Sequence, residues 1–265
     1  CVSKDKIAID MNVDDALMGD EIEEGNHLLK LHAEGMDTID RVEILVNEKR
    51  VDLISGPSED IPEENRPVRF KFMIEAGWGP DLREFPDYVS RKWNGKVSTE
   101  GIIKSVTPCF STFGQKILHE TERSIAFELT THSNTATGKW MGPSAVTTEG
   151  LIFEIEADLD SAIIVEMEGK TVQIPVREIL KGTRVYALEE EAKDLLNRTY
   201  GFTDYYRSDP FWHNSYKFRL KKGSLCEWYT FDMEKNYQLV KGDEIRCRIY
   251  EKNGSCAWTS PVFII

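Results

Sequence analysis

Five histidines, His27, His32, His119, His132 and His213, are the side chains best suited to bind a transition metal or move a proton near neutral pH. Their spacing supports neither role locally. No two form HxH, HxxxH or HExxH, the arrangements that place metal ligands together on one strand end or helix face. His27 and His32 fall on or beside an alternating strand and read as structural, and His132, in Thr130-Thr131-His132-Ser133-Asn134-Thr135, reads as a solvated strand end.

Nucleophilic chemistry has no starting point either. No serine stands in Gly-x-Ser-x-Gly, and no glycine-rich phosphate loop follows a strand. The five cysteines (Cys1, Cys109, Cys226, Cys247, Cys256) contain no CxxC pair and read as small buried hydrophobes. Carboxylates are so abundant that no pair stands out as the acid and base of a glycosidase. Asp20-Glu21-Ile22-Glu23-Glu24 and Asp158-Leu159-Asp160 lack calcium-loop spacing and read as solvated turns. Lys217, Arg219, Lys221 and Lys222 read as the wet face of a strand. The sequence therefore assigns no catalytic, cofactor-binding or metal-ligating residue, and no cofactor.

Six tryptophans are the remaining chemical feature, because exposed indoles stack on sugar rings or anchor partners. Trp78, Trp140 and Trp212 sit in Gly- or Pro-flanked segments and are the expected contact surface. Trp258 is expected in the core. With Asn253-Gly254 as a two-residue hairpin turn, parity puts Cys247, Ile249, Cys256 and Trp258 on one buried face, with Cys256 opposite Glu251 and not opposite Cys247.

The elements that must position these residues are strands. In Val68-Arg69-Phe70-Lys71-Phe72-Met73-Ile74-Glu75 the apolar Val68, Phe70, Phe72 and Ile74 share a face opposite Arg69, Lys71 and Glu75. Similar alternation covers 29–33, 42–46 and 216–221, and further strands are expected at 5–12, 96–105, 124–131, 151–157, 161–167, 171–176, 225–232, 244–250 and 256–264. One short helix is expected near 188–198, from Leu188, Ala192, Leu195 and Leu196 at helical spacing. Turn-rich breaks cover 55–67, 76–90 and 199–214. The fold class that follows is all-β, built of antiparallel β-sandwiches.

The 265 residues carry a net charge of −13 with 40% hydrophobic residues, which excludes a disordered chain and argues against nucleic acid or an anionic membrane as partner. No stretch approaches the roughly 18 to 20 apolar residues of a transmembrane segment.

Several segments carry a family resemblance. Ile7-Ala8-Ile9-Asp10-Met11-Asn12, Ala16-Leu17-Met18-Gly19-Asp20-Glu21 and Val42-Glu43-Ile44-Leu45-Val46-Asn47 resemble the region following the catalytic domain in bacterial PHP-like metal-dependent hydrolases. Arg246-Cys247-Arg248-Ile249-Tyr250-Glu251-Lys252-Asn253-Gly254 and Ala257-Trp258-Thr259-Ser260-Pro261-Val262 are similar to their closing hairpin. Ala76-Gly77-Trp78-Gly79-Pro80 and Trp93-Asn94-Gly95-Lys96-Val97 resemble a longer variant. The resemblance implies that the catalytic metal site belongs to a preceding domain, and no position here matches its ligands. It further implies an immunoglobulin-like domain formed by 1–76 plus 215–265, with 77–214 inserted as a second sandwich.

Cys1 then has two readings, a cut point inside a longer polypeptide or the lipid-bearing first residue of a mature lipoprotein. The expected role is a non-catalytic accessory or interaction region whose partner is an upstream domain of the same polypeptide. The alternative is a carbohydrate-binding or cell-surface lipoprotein module with a glycan partner. The source is expected to be bacterial, with an extracytoplasmic location favoured over a cytoplasmic one.

Overall fold

The alternation seen in the sequence has a direct structural counterpart. Leu29, Leu31 and Ala33 are buried while Lys30 and His32 are exposed, as a strand with one wet face requires. The computed structural model describes residues 6–82, 84–132, 148–201 and 209–265. Within them the fold is all-β, and the chain divides into two compact units, Cys1–Pro62 with Ser224–Ile265, and Glu63–Gly223.

In chain order the first unit begins with β1 (Ala8–Val13), β2 (Ala16–Leu17), β3 (Glu21–Ile22), β4 (Gly25–Glu34), β5 (Ile39–Val46) and β6 (Lys49–Ser55). The second unit supplies β7 (Pro67–Trp78), β8 (Ser90–Thr99), β9 (Ile102–Cys109), β10 (Lys116–Thr121), β11 (Ser124–His132), β12 (Thr148–Asp158), β13 (Ala162–Met167) and β14 (Lys170–Pro175). It continues through α1 (Val176–Lys181), β15 (Arg184–Ala187), α2 (Glu189–Tyr200), α3 (Asp209–Asn214) and β16 (Tyr216–Leu220). The chain then returns to the first unit with β17 (Ser224–Leu225), α4 (Cys226–Tyr229), β18 (Thr230–Leu239), β19 (Glu244–Glu251), β20 (Cys256–Trp258) and β21 (Val262–Ile264).

In the first unit a sheet ordered β18-β4-β1-β2 faces one ordered β3-β21-β19-β5-β6, with β20 also paired to β19. Their shared core joins Met11, Val13, Leu29 and Leu31 of the first sheet to Val42, Ile44, Ile245, Cys247 and Ile249 of the second. Burial pushes the Cys247 thiol up to about 12 against the opposing effect of Thr259, so it behaves as a packed hydrophobe. The second unit sets β10-β11-β8-β13-β14 against β15-β16-β7-β12-β9. Phe127 of β11 meets Phe153 of β12 at 6.2 Å, and Phe153 meets Phe72 of β7 at 5.6 Å, so an aromatic ladder bridges the two sheets.

The borders of the units fall at 62/63 and 223/224, not at the 76/77 and 214/215 drawn from the sequence. The difference lies in β7 and β16, which pair with each other, while β7 also pairs with β12, all inside the second unit. β7 is central in its sheet, so Lys71 and Glu75 are as buried as the apolar residues beside them. Of the polar face expected to be wet, Lys71 and Glu75 are covered and Arg69 stays exposed.

Other expectations change for local reasons. The strand expected at 96–105 is two strands, because the chain turns at Glu100-Gly101, where a Cβ on Gly101 would lie 2.2 Å from the Glu156 carbonyl oxygen. Helix α4 interrupts the strand expected at 225–232, and Thr230 Oγ1 donates back to the Cys226 carbonyl at 2.7 Å. Four helices are present among the described residues where one was expected, since helices of four to six residues are too short to show a period. The expected helix is α2, closed by Gly201 at φ 71° with its N–H on the Asn197 carbonyl.

The closing hairpin differs by one residue. Glu251 N donates to the Ser255 carbonyl and Gly254 N to the Glu251 carbonyl, which makes a three-residue loop ending in Gly254 at φ 90°. Ile249 therefore faces Ala257, Tyr250 faces Cys256 and Arg248 faces Trp258. Ala257 points inward, and Trp258, expected in the core, is 47% exposed.

Gly95 on β8 lies under the Phe127 ring, where a Cβ would come within 2.3 Å of it. Gly95→Ala is expected to cost about 1–3 kcal/mol in urea unfolding. Gly182, in extended backbone with open space around it, should accept Ala with no loss. Equal midpoints for the two variants would show that this contact does not constrain the core.

Candidate functional site

The site builds outward from the ends of β7 and β16. β16 lies beside β7 with Tyr216 opposite Trp78, Lys217 opposite Gly77 and Arg219 opposite Glu75. Phe218 is buried in the core, so Lys217 and Arg219, on either side of it, share the other face. β7 ends irregularly, with Trp78 at φ 62° and Gly79 at φ 122°. A left-handed Trp costs roughly 1–2 kcal/mol, so the surroundings must hold it there. Gly79 is needed because a Cβ would enter the Tyr216 ring at 2.4 Å. Tyr216 is in turn fixed edge-on to Trp93 at 5.9 Å and lies under the Arg91 guanidinium at 4.5 Å. Arg91 bonds both Glu168 and Glu191.

This geometry brings the Trp78 ring to 5.1 Å from the Arg219 guanidinium. Arg219 also pairs with Glu75, which receives the Thr148 hydroxyl at 2.5 Å. Burial alone would raise the Glu75 carboxyl; the Thr148 hydrogen bond and the charges of Lys221 and Arg219 outweigh it and hold the group below its usual value.

Trp212 is placed by a small apolar cluster. Phe85, Leu195 and Leu196 pack with Phe211, which seats α3 against α2. Trp212 is therefore helical, where the sequence had put it in a loop, and it is 40% exposed. Lys217 Nζ lies 5.0 Å from its ring and donates to the carbonyls of Trp212 and Ser215. Lys217 itself is buried, and that burial lowers its pKa, with Glu189 acting in the opposite sense.

Of the three expected contact residues, the structure brings Trp78 and Trp212 to cations two positions apart on one strand; Trp140 lies outside the described residues. Three of the histidines are engaged elsewhere. His27 contacts the Asp14 carboxylate and the Glu23 carbonyl, at 2.8 and 2.9 Å, His32 meets Asp232 at 2.7 Å, and His132 rests on the Phe113 ring. Among the described residues no three His, Cys, Asp or Glu side chains gather as metal ligands, and no helix is long and apolar enough to cross a membrane. Asp20 caps the Leu17 amide, and Asp160 holds Arg177.

No family model, curated protein or solved structure matches this chain.

Glu75 was not singled out by sequence as a site residue, and Lys217 and Arg219 were read as part of a wet strand face, whereas Lys217 is buried and Arg219 half-buried. The available signal was the cation pair at alternate positions beside an aromatic-rich segment, which reads as a solvated face until β16 is known to abut a central strand.

Glu75 supplies a test. Its carboxylate is favoured in the folded state, so its contribution is fully present above the unfolded value near 4.5 and is lost as pH falls through the lower folded value. The gap in Tm between wild type and Glu75→Gln should be widest near neutrality and narrow below that value. A gap constant from pH 7 to 3 would contradict the pairing.

Proposed function

We propose that this chain is a non-catalytic interaction region and that the surface carrying Trp78 and Trp212 is where it meets its partner. The observation that carries this reading is the pair of indoles held against Arg219 and Lys217, cations whose own partners are fixed by the fold. A general acid or base needs a titration point near the working pH and room to exchange its proton. Glu75 is shifted the opposite way and its oxygens are taken by Arg219 and Thr148; burial lowers Lys217, but its ammonium is tied to two carbonyls. Such a surface is rigid and preorganised, which suits recognition more than turnover. The resemblance to PHP-like hydrolases supplies the partner of this proposal, a preceding domain of the same polypeptide. An immunoglobulin-like topology for the first unit belongs to the same reading.

A glycan is the second reading, and the exposed Trp212 ring is the observation in its favour.

The two are separated by titrating the purified chain against a PHP-like catalytic domain and against neutral oligosaccharides. Trp212→Ala should weaken the productive pairing about tenfold or more. Binding only to sugars would select the glycan reading. Turnover in a phosphoester and glycoside screen, lost on His132→Ala, would overturn the non-catalytic one.

A further inference from the structure

The register that turns Trp258 outward completes a second surface, in the first unit. On the side of β5 and β19 away from the core, Arg41 stands opposite Tyr250, Glu43 opposite Arg248 and Leu45 opposite Arg246, while Arg248 also faces Trp258. Arg50 of β6 joins them by reaching Glu43 at 3.3 Å. Four guanidinium groups thus share one sheet face in a chain of net charge −13.

Their local partners do not use up their capacity. Glu43 serves both Arg41 and Arg50, Glu48 serves both Arg246 and Arg248, and Asp40 takes a further bond from Arg41. Each guanidinium has five N–H donors in a fixed fork, so most remain to be filled. The Nε of Arg246 is buried with no hydrogen-bond partner among the described residues. The stems are held in place, since Leu45 is buried opposite Arg246 and Arg50, and Arg41 stacks at 3.8 Å over Tyr250. Beside the cations, Leu53 and Trp258 present apolar area to solvent, and exposed Trp, Tyr and Arg together are the side chains that dominate binding energy at protein interfaces.

We infer that this face docks an extended acidic segment of a protein partner. The four guanidiniums outnumber the three carboxylates that pair with them among the described residues, Asp40, Glu43 and Glu48, and this surplus of charge and N–H donors selects carboxylates. Spacing selects an extended polypeptide, because Arg246 and Arg248 are two residues apart on a strand, about 7 Å, and acids at alternate positions of an extended chain repeat at that same interval. Bidentate Arg–carboxylate pairing gives the contact its orientation.

The test is fluorescence polarisation with a short fluorescein-labelled peptide of alternating Glu and Thr, run beside its Lys/Thr counterpart and beside soluble polyglucuronate. The Glu/Thr peptide should bind, and binding should weaken steeply with added salt. Arg246→Ala with Arg248→Ala should weaken it about tenfold or more, and Trp258→Ala several-fold. If the double variant does not fold, Arg50→Ala and Trp258→Ala, both at exposed side chains, carry the same expectation. No binding at low salt, affinity unchanged by these substitutions, or binding of polyglucuronate in place of the peptide would each overturn the inference.

Discussion

A carboxylate in a central strand is the constraint on which most of the second unit depends. Glu75 sits between β12 and β16, 5% exposed, where an unpaired charge costs several kcal/mol. Thr148 reaches it from β12 and Arg219 from β16. Because the partners come from strands on opposite sides, satisfying this one group fixes two registers together. Lys217 is thereby set opposite Gly77 and Tyr216 opposite Trp78. The left-handed end of β7, the Gly79 contact with Tyr216 and the approach of Arg219 to the Trp78 ring all follow from that alignment.

A second regularity runs through both units. The chain is strongly acidic, yet several of its cations lie over aromatic rings: Arg41 on Tyr250, Arg91 on Trp93 and Tyr216, Lys217 on Trp212, Arg219 on Trp78. A ring takes one face of a guanidinium without competing for its N–H donors. These arginines can therefore be packed and still hold carboxylates, as Arg91 does with Glu168 and Glu191.

Strand identity was legible wherever one face is wet, as in 29–33 and 244–250, because period-two alternation records that asymmetry. It misled at 68–75, where alternation is just as clear but Lys71 and Glu75 on the polar face are buried while Arg69 alone stays exposed. The charge of Glu75 reports only that it is paired, and pairing is a property of strands far away in sequence. Trp212 lay in a segment read as a break because α3 is too short to carry a period and is held by Phe85 and Leu196, which are remote in the chain. For Trp78 and Trp212 composition found candidates, but the cations that define their surroundings come from a strand whose neighbours no local pattern reveals. The outward side of Trp258 was hidden by a subtler effect, since Asn253-Gly254 signals a hairpin without stating whether its loop holds two residues or three.

That loop has an evolutionary corollary. Side-chain parity beyond it is governed by residue count, so altering loop composition leaves β20 as it is, while removing one codon inverts it, exchanging Ala257 for Trp258 at the core. Length change and sequence change are thus unequal events at this locus. Substitutions can drift at residues 252 and 253 with modest effect, Gly254 being held by its φ of 90°, whereas a single-residue indel both disrupts the interior and erases an exterior surface at once.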